Sequence, residues 1–312
     1  MTSSWPEAIL QRARALRQAL EEPIAEFIAE QQLPSSFNRA IDQYLLPLAI
    51  WLEEQRHQDQ TRQEQTLVVG LCGGQGSGKS TLTAFLTLVW GLIGVRSTGF
   101  SLDDLYLTRA ERLRLGQQVH PLLATRGVPG THDVALGIDT IQRLCRSGEG
   151  DQTPIPRFDK SIDDRAATST WSHYRGPVDI LLFEGWCVGA LPWQGAEEPI
   201  NSLERLEDPE GHWRDYINQQ LQGPYRQLFS MLDVLVMLKV PDMQSVLAWR
   251  TQQEHQLRAA RGGGMSDAEI VRFVQHYERI TRNLLEEMPG RADCVLELGR
   301  DHAIAGLRLN RP

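Results

Sequence analysis

Apolar residues recur at helical spacing through the first sixty positions. Ile9, Leu16, Leu20, Ile24, Phe27 and Ile28 stand three, four or seven apart among polar residues, which predicts amphipathic helix across residues 5–60. Leu33-Pro34-Ser35-Ser36 interrupts it, and a second helical stretch follows from Arg39 to Arg56. His57 to Gln65 contains no apolar residue and reads as a linker or helix end. From Thr66 the pattern changes. Thr66-Leu67-Val68-Val69-Gly70-Leu71 is a short continuous apolar run, as expected of a strand buried on both faces. Further strands are read at Val95–Leu102, Val178–Phe183, Val234–Val240 and Cys294–Leu298, with mostly helical segments between them, the first being Ser80–Leu92. Strands alternating with helices predict an α/β fold, a doubly wound parallel sheet of about five strands with helices on both faces. Residues 1–65 are then an N-terminal helical extension packed on the core, and residues 66–312 the main domain.

Composition narrows the function classes. With 41% hydrophobic residues in 312, the chain can bury a sizeable core. Its net charge of -8 disfavours a broad nucleic-acid surface, which leaves a basic excess. An acidic protein can still bind anions where a few cations converge in one cleft. Cys72, Cys145, Cys187 and Cys294 lie far apart and form no CxxC pair, which argues against zinc or a disulfide framework and fits a reducing compartment. No run approaches 18 apolar residues, so no membrane span is expected. The first residues lack a signal-peptide apolar block, and Glu7, Glu21, Glu22 and Glu26 suit a transit peptide poorly. A cytoplasmic location is the expectation.

Between the first predicted strand and the first helix of the main domain lies Gly73-Gly74-Gln75-Gly76-Ser77-Gly78-Lys79-Ser80, a match to G-x-x-x-x-G-K-[ST] in the context that gives the motif meaning. The glycines let backbone N–H groups wrap phosphates without Cβ clashes, and the following helix points its positive end at the anion. This predicts the P-loop NTPase fold and ATP binding. Lys79 would reach the β- and γ-phosphates, Ser80 would ligate Mg²⁺, and Thr81 continues the contact surface into the helix.

Two strand ends supply acids. Ser101-Leu102-Asp103-Asp104-Leu105-Tyr106 closes the second strand, on the edge of the sheet where ligands bind. A carboxylate there can accept the proton of an attacking hydroxyl. Adjacent residues on a strand point to opposite sides, so one of Asp103 and Asp104 is expected to face the phosphates; the alternative is a pair of loop acids or a helix cap. Val178-Asp179-Ile180-Leu181-Leu182-Phe183-Glu184 is an apolar strand ending in an acid, and Glu184 would hold Mg²⁺ directly or through water.

Taken together, the phosphate loop and Ser101-Leu102-Asp103-Asp104-Leu105-Tyr106-Leu107-Thr108 resemble the uridine kinase and pantothenate kinase branch of P-loop kinases. Within that branch the similarity is greatest to the D-glycerate 3-kinases. It rests on Arg126-Gly127-Val128-Pro129-Gly130-Thr131-His132-Asp133, Pro156-Arg157-Phe158-Asp159-Lys160-Ser161 and Phe183-Glu184-Gly185-Trp186-Cys187-Val188-Gly189, and covers about Thr66 to Leu298. The resemblance implies transfer of the ATP γ-phosphoryl group to D-glycerate, giving 3-phosphoglycerate, with Mg²⁺. It marks Asp103 as the catalytic aspartate and places acceptor contacts among Asp104, Tyr106, Arg126, His132 and Asp133.

Glycerate carries a carboxylate and two hydroxyls, so its pocket needs a bidentate cation and hydroxyl acceptors. The charged segment Ile155–Arg165, read as a loop, offers Arg157, Asp159, Lys160, Asp163, Asp164 and Arg165; the alternative is a solvated charge run. His132 could donate to the carboxylate while Asp133 orients a hydroxyl; alternatively Asp133 caps the helix through Leu144 and His132 is a surface turn residue. Acceptor loops are thus expected within about residues 104–175. A lid is expected at about 248–265, where Arg250 and Arg258, with Arg261 a weaker candidate, could reach the phosphates and Gly262-Gly263-Gly264 permits opening. The alternative there is an exposed amphipathic helix with a glycine stop. Ser266-Asp267-Ala268-Glu269 reads as a capping box opening the next helix. Other functions to weigh are a kinase for another small hydroxyl compound, pantothenate- or uridine-kinase-like, and a switch that binds ATP without transferring phosphate.

Overall fold

The structure is a computed structural model that describes residues 4–58, 65–194, 198–261 and 264–311. Its centre is a sheet built from β1 (Leu67–Gly73), β2 (Ser97–Ser101), β7 (Ile180–Gly185), β8 (Val234–Lys239), β9 (Cys294–Leu298) and β10 (Ile304–Leu309), in the order β10-β9-β8-β1-β7-β2. Side chains alternate between two cores, as strand geometry requires. Leu67, Val69 and Leu71 of β1 enter one cluster, Val68 and Cys72 the other. Covering both faces explains the unbroken apolar runs.

The expected five parallel strands are present, and a sixth corrects the count. β10 pairs antiparallel with β9, with a register shift between Ile304 and Gly306. Its sequence carries a glycine and a charged residue, and only two of its six residues are buried at the sheet edge, so no continuous apolar run announces it.

One face is covered by α1 (Glu7–Ala19), α2 (Glu21–Glu30), α3 (Phe37–Ala40), a π-turn at Ile41–Leu45, α4 (Leu46–Gln58) and α5 (Lys79–Leu92). The first half of α4 is apolar all round, because Leu46 and Leu48–Leu52 are buried between the outer helices and the sheet. Trp90 Nε1 donates to the Ala49 carbonyl at 2.9 Å, and Phe27 meets Phe85 edge-on at 5.6 Å. Arg56 and Arg96 both reach the Asp179 carboxylate, at 2.8 and 2.7 Å. Within the expected linker His57–Gln65, residues 59–64 lie outside the described residues.

The other face carries α6 (Arg109–Gln118), α7 (Val134–Arg146), α8 (Ser202–Glu207), α9 (His212–Gln222), α10 (Pro224–Phe229) and, beyond α11 (Met243–Arg261), the long α12 (Asp267–Glu287). Ser266 and Glu269 form the expected capping box at the start of α12. The segment Ile155–Arg165, read as a loop, holds the paired short strands β4 (Phe158–Asp159) and β5 (Asp164–Arg165), and around it β3 (Gln152–Ile155) pairs with β6 (Ser172–Arg175). Two-residue strands fall below any periodicity signal. The hairpin turns at Asp163, whose φ of +55° is a left-handed conformation. Among the described residues no helix is long and apolar enough to cross a membrane.

Candidate active site

Three parallel strands end side by side and deliver the chemistry to one edge. Leu71 pairs with Glu184, and Ser101 with Glu184, so the loop after β1, the turn after β2 and the end of β7 converge. A cleft of about 770 Å³ opens there. Its wall includes Gln75, Gly76, Lys79 and Ser80 from the phosphate loop, Asp103 and Asp104 after β2, and Glu184.

The phosphate loop has the backbone its glycines permit. Gly76 and Gly78 sit at φ +76° and +85°, a region L side chains rarely enter. A Cβ on Gly73 would stand 2.6 Å from Ser77 Oγ, inside contact distance. Lys79 Nζ donates to the Gly73 and Gly74 carbonyls at 2.7 and 3.1 Å, folding back over the loop. Ser77 Oγ is buried without a partner, a donor awaiting an acceptor oxygen. Thr81 is half-buried in the first turn of α5 and does not line the cleft. His302 braces the loop from outside. It bonds the Gly76 carbonyl through Nδ1 at 3.3 Å and stacks on Trp249 at 4.1 Å.

The two aspartates are not on a strand, which corrects the alternation argument. Leu102–Leu105 is a 3₁₀ turn, and Ser101 caps it by accepting from the Asp103 N–H while the Ser101 N–H donates to Asp104 at 3.3 Å. Asp104 also accepts from the Phe158 N–H at 3.3 Å, so it ties the 158–165 hairpin to the turn. Asp103 faces the cleft. Lys160 Nζ lies 2.7 Å from its Oδ2, and the Tyr106 hydroxyl donates to Oδ1 at 2.9 Å. Burial pushes the Asp103 carboxyl up, but the Lys160 ammonium and the Tyr106 hydroxyl outweigh it and hold the group below the ordinary carboxylate range. Glu184 goes the other way: burial raises it, against the pull of Lys79 and a Ser101 hydrogen bond.

On the acceptor side the structure separates cleft residues from scaffold. Arg126 lines the cleft, pairs with Asp163 and lies 5.5 Å over the Phe158 ring. Lys160 lines it too. Five expected contacts stand elsewhere. Arg157 is exposed and outside the cleft wall, and Asp159 accepts from the Ser161 N–H and hydroxyl at 2.9 and 2.5 Å. Arg165 donates to the Tyr106 carbonyl at 3.1 Å and to Asp133 at 3.0 Å. Asp133 caps α7, accepting from the Leu136 N–H at 3.0 Å. His132 is neither a cleft donor nor a surface turn residue. It is 4% exposed, stacked on Tyr106 at 4.5 Å, with Nδ1 2.5 Å from the Tyr225 hydroxyl. Burial pushes the imidazole down to about 3, against the pull of Asp103, so it is neutral.

The expected lid is the end of α11 and its turn into α12. Arg250 faces the cleft over the Phe273 ring at 4.9 Å and pairs with Glu254 at 2.6 Å. Arg258 is turned away, donating to the Met265 carbonyl at 2.5 Å. It fastens the helix turn instead of reaching the cleft. Gly262 and Gly263 lie outside the described residues, as does the Arg261 side chain.

Several cleft residues escaped the sequence reading. Trp186, Phe273, Tyr277 and Arg112 sit in its wall, beside Asp163, which the charged segment already offers. Arg112 is 1% exposed and bonds the carbonyls of Leu107, Ala124 and Asp163 at 3.2, 3.0 and 2.6 Å. Arg112 and the α12 residues come from helices outside the motifs singled out; Trp186 and Asp163 lie inside segments already singled out.

Among the described residues no group of three or more His, Cys, Asp or Glu side chains is arranged to hold a metal. Mg²⁺ keeps water and phosphate oxygens and needs one or two protein oxygens, so the Ser80 hydroxyl and Glu184 carboxylate fit it. The glycine cradle and the unpartnered Ser77 hydroxyl fit a polyphosphate.

No family model matches the chain. It is 34% identical to the chloroplastic D-glycerate 3-kinase of Arabidopsis thaliana over 75% of its own length and 52% of that protein, so it spans about half the length of that relative. It is 35% identical to the uncharacterized kinase mug58 of Schizosaccharomyces pombe over 67% of this chain and 78% of that one. The solved structure of D-glycerate 3-kinase from Cryptococcus neoformans superimposes with a TM-score of 0.68 at 26% identity, covering 85% of this chain and 98% of that chain. The chain belongs to the family of P-loop kinases that includes the D-glycerate 3-kinases.

Proposed function

We propose that the protein transfers the γ-phosphoryl group of ATP to the 3-hydroxyl of D-glycerate, giving 3-phosphoglycerate and ADP. The observation that carries the reading is Asp103: a carboxylate paired with Lys160 in the same cleft as the phosphate loop, whose wall also holds Arg126 and Arg250. Asp103 accepts the proton of the attacking hydroxyl as the new O–P bond forms. Lys79 and the loop amides hold the phosphates, and Arg126 takes the carboxylate. Mg²⁺ on Ser80 and Glu184 would neutralise phosphate charge. Residues 104–175 carry the acceptor contacts and 248–265 the lid, with Arg250 its active cation. The four cysteines are unpaired thiols, which suits a reducing compartment, and we place the reaction in the cytoplasm.

The relatives named D-glycerate 3-kinase support the acceptor. The geometry also favours a small acid over a nucleoside. Tyr106, Trp186 and Tyr277 are each at most 6% exposed, so these rings have no free face on which a base could stack.

The test is incubation with Mg-ATP and D-glycerate, other small hydroxy acids, pantothenate and uridine, followed by mass and NMR identification of the product. One 3-phosphoglycerate per ADP is expected. Phosphorylation of pantothenate or uridine instead, or ATP consumption with no phosphorylated acceptor, rejects the assignment.

A further inference from the structure

Tyr277 is held firmly by its ring and loosely by its oxygen. The ring meets Trp186 edge-on at 4.8 Å and Phe273 at 4.9 Å. The hydroxyl donates to the Arg126 carbonyl at 3.4 Å, long against the usual O–H···O length of about 2.7–2.8 Å. Gly127 keeps room for it. Its φ is +146°, and a Cβ there would stand 2.2 Å from the Tyr277 oxygen. The glycine cannot drift, because Trp186 Nε1 donates to its carbonyl at 3.0 Å and its N–H donates to Thr131 Oγ1 at 3.1 Å. A nearly buried hydroxyl with one stretched bond, in the wall of the cleft, has capacity left for a ligand oxygen. Opposite charges flank it. Burial and the Asp103 carboxylate push the Tyr277 pKa up, so the hydroxyl keeps its proton, while Arg126 and Arg250 pull it down; all four residues line the one cleft.

We infer that Tyr277 is a specificity-determining residue, donating a hydrogen bond to the non-reacting hydroxyl on carbon 2 of the acceptor. The inference rests on the glycerate reading above. An acceptor with its reacting hydroxyl at Asp103 and its carboxylate at Arg126 holds carbon 2 between them, beside the Tyr277 oxygen. Three fixed points define a hand, so Tyr277 selects the D isomer. A site built to hydrogen-bond a substrate hydroxyl also rejects the analogue that lacks it.

Tyr277→Phe removes one oxygen and keeps the ring packing. kcat/KM is measured for D-glycerate, L-glycerate and 3-hydroxypropanoate with both proteins, alongside KM for ATP and thermal unfolding. The variant should lose about 5- to 100-fold on D-glycerate, with 3-hydroxypropanoate turnover, KM for ATP and Tm unchanged. Undiminished preference for D-glycerate, or an equal loss on all three acids, overturns the role of Tyr277 while leaving the glycerate assignment intact. A wild-type protein inert toward D-glycerate sinks that assignment by itself. The two proteins are then compared on the hydroxyl compound identified by the product panel and its analogue lacking the neighbouring hydroxyl, with the same two outcomes.

Discussion

Lys160 Nζ lies 2.7 Å from Asp103 Oδ2, and this contact joins the 158–165 hairpin to the turn after β2. The lysine is largely exposed and the aspartate is not, so the pair links a surface element to the floor of the cleft. Tyr106 holds the other oxygen, and Asp104 fastens the hairpin at the Phe158 N–H. The base, its cation and the acceptor hairpin therefore form one connected unit.

Asp103→Asn keeps the size of the side chain and removes its charge. It should lower kcat by about 10² to 10⁴-fold, the range general acid–base catalysis supplies. ATP affinity should stay near wild type, since the phosphate loop holds its shape through Lys79 and its own carbonyls. Steady-state kinetics and equilibrium nucleotide binding separate the two effects. Near-wild-type turnover would remove Asp103 from the mechanism.

Lys160 should govern the acid limb of the pH profile. The Asp103 carboxyl is held below its ordinary value near 3.8, so the base stays ionised as pH falls toward that value. Lys160→Met removes the leading stabiliser while burial remains, and the Asp103 pKa rises. The acid limb of kcat/KM should move to higher pH, and activity near pH 5 should fall more than activity near pH 8. A limb that stays in place would show that the pair does not tune the base.

How far the chain could be read in advance follows from where each signal sits. The strands of the parallel sheet were legible because burial on both faces produces unbroken apolar runs, as in Val234–Lys239. The phosphate loop was legible because contiguous backbone makes the site. Acceptor residues were not, since polar side chains in one segment divide between cleft and scaffold by contacts made across the fold. Lys160 reaches Asp103, while Arg165, five residues on, is bound to Asp133. His132 illustrates the same limit. Its neighbours Gly130 and Asp133 announce a turn, but only the packing of Tyr225 and Tyr106 shows it buried.

Arg112 should matter more for stability than its absence from any motif suggests. Its guanidinium bonds three carbonyls and pairs with Asp163 at 3.0 Å while almost fully buried. Arg112→Met fills similar space but leaves the three carbonyls without their donor and Asp163 with Arg126 alone. Asp163 is partly exposed, so the main loss is the buried carbonyls left without a donor, which costs about 1–3 kcal/mol. Urea denaturation should show that loss, and KM for the acceptor should rise because Asp163 also holds Arg126. A loss below 1 kcal/mol would mean that water replaces the guanidinium.

His132 gives the fold a pH dependence whose sign can be worked out. The folded imidazole is pushed down to about 3 by burial, whereas the unfolded one titrates near 6.5. Between those values the unfolded chain binds a proton that the folded protein does not. Unfolding free energy therefore rises with pH in this window, and the stability of the neutral ring is lost as pH falls from 6.5 toward 3. A group fully in this regime contributes a slope of at most about 1.4 kcal/mol per pH unit. Replacing it with a side chain that does not titrate removes the slope, and His132→Asn retains a donor and an acceptor near the Tyr225 hydroxyl. Denaturation curves at pH 7, 6 and 5 should converge for the variant relative to wild type, after both are normalised at pH 7. Parallel losses in the two proteins would show that other groups carry the acid sensitivity and that His132 accepts its proton without unfolding the chain.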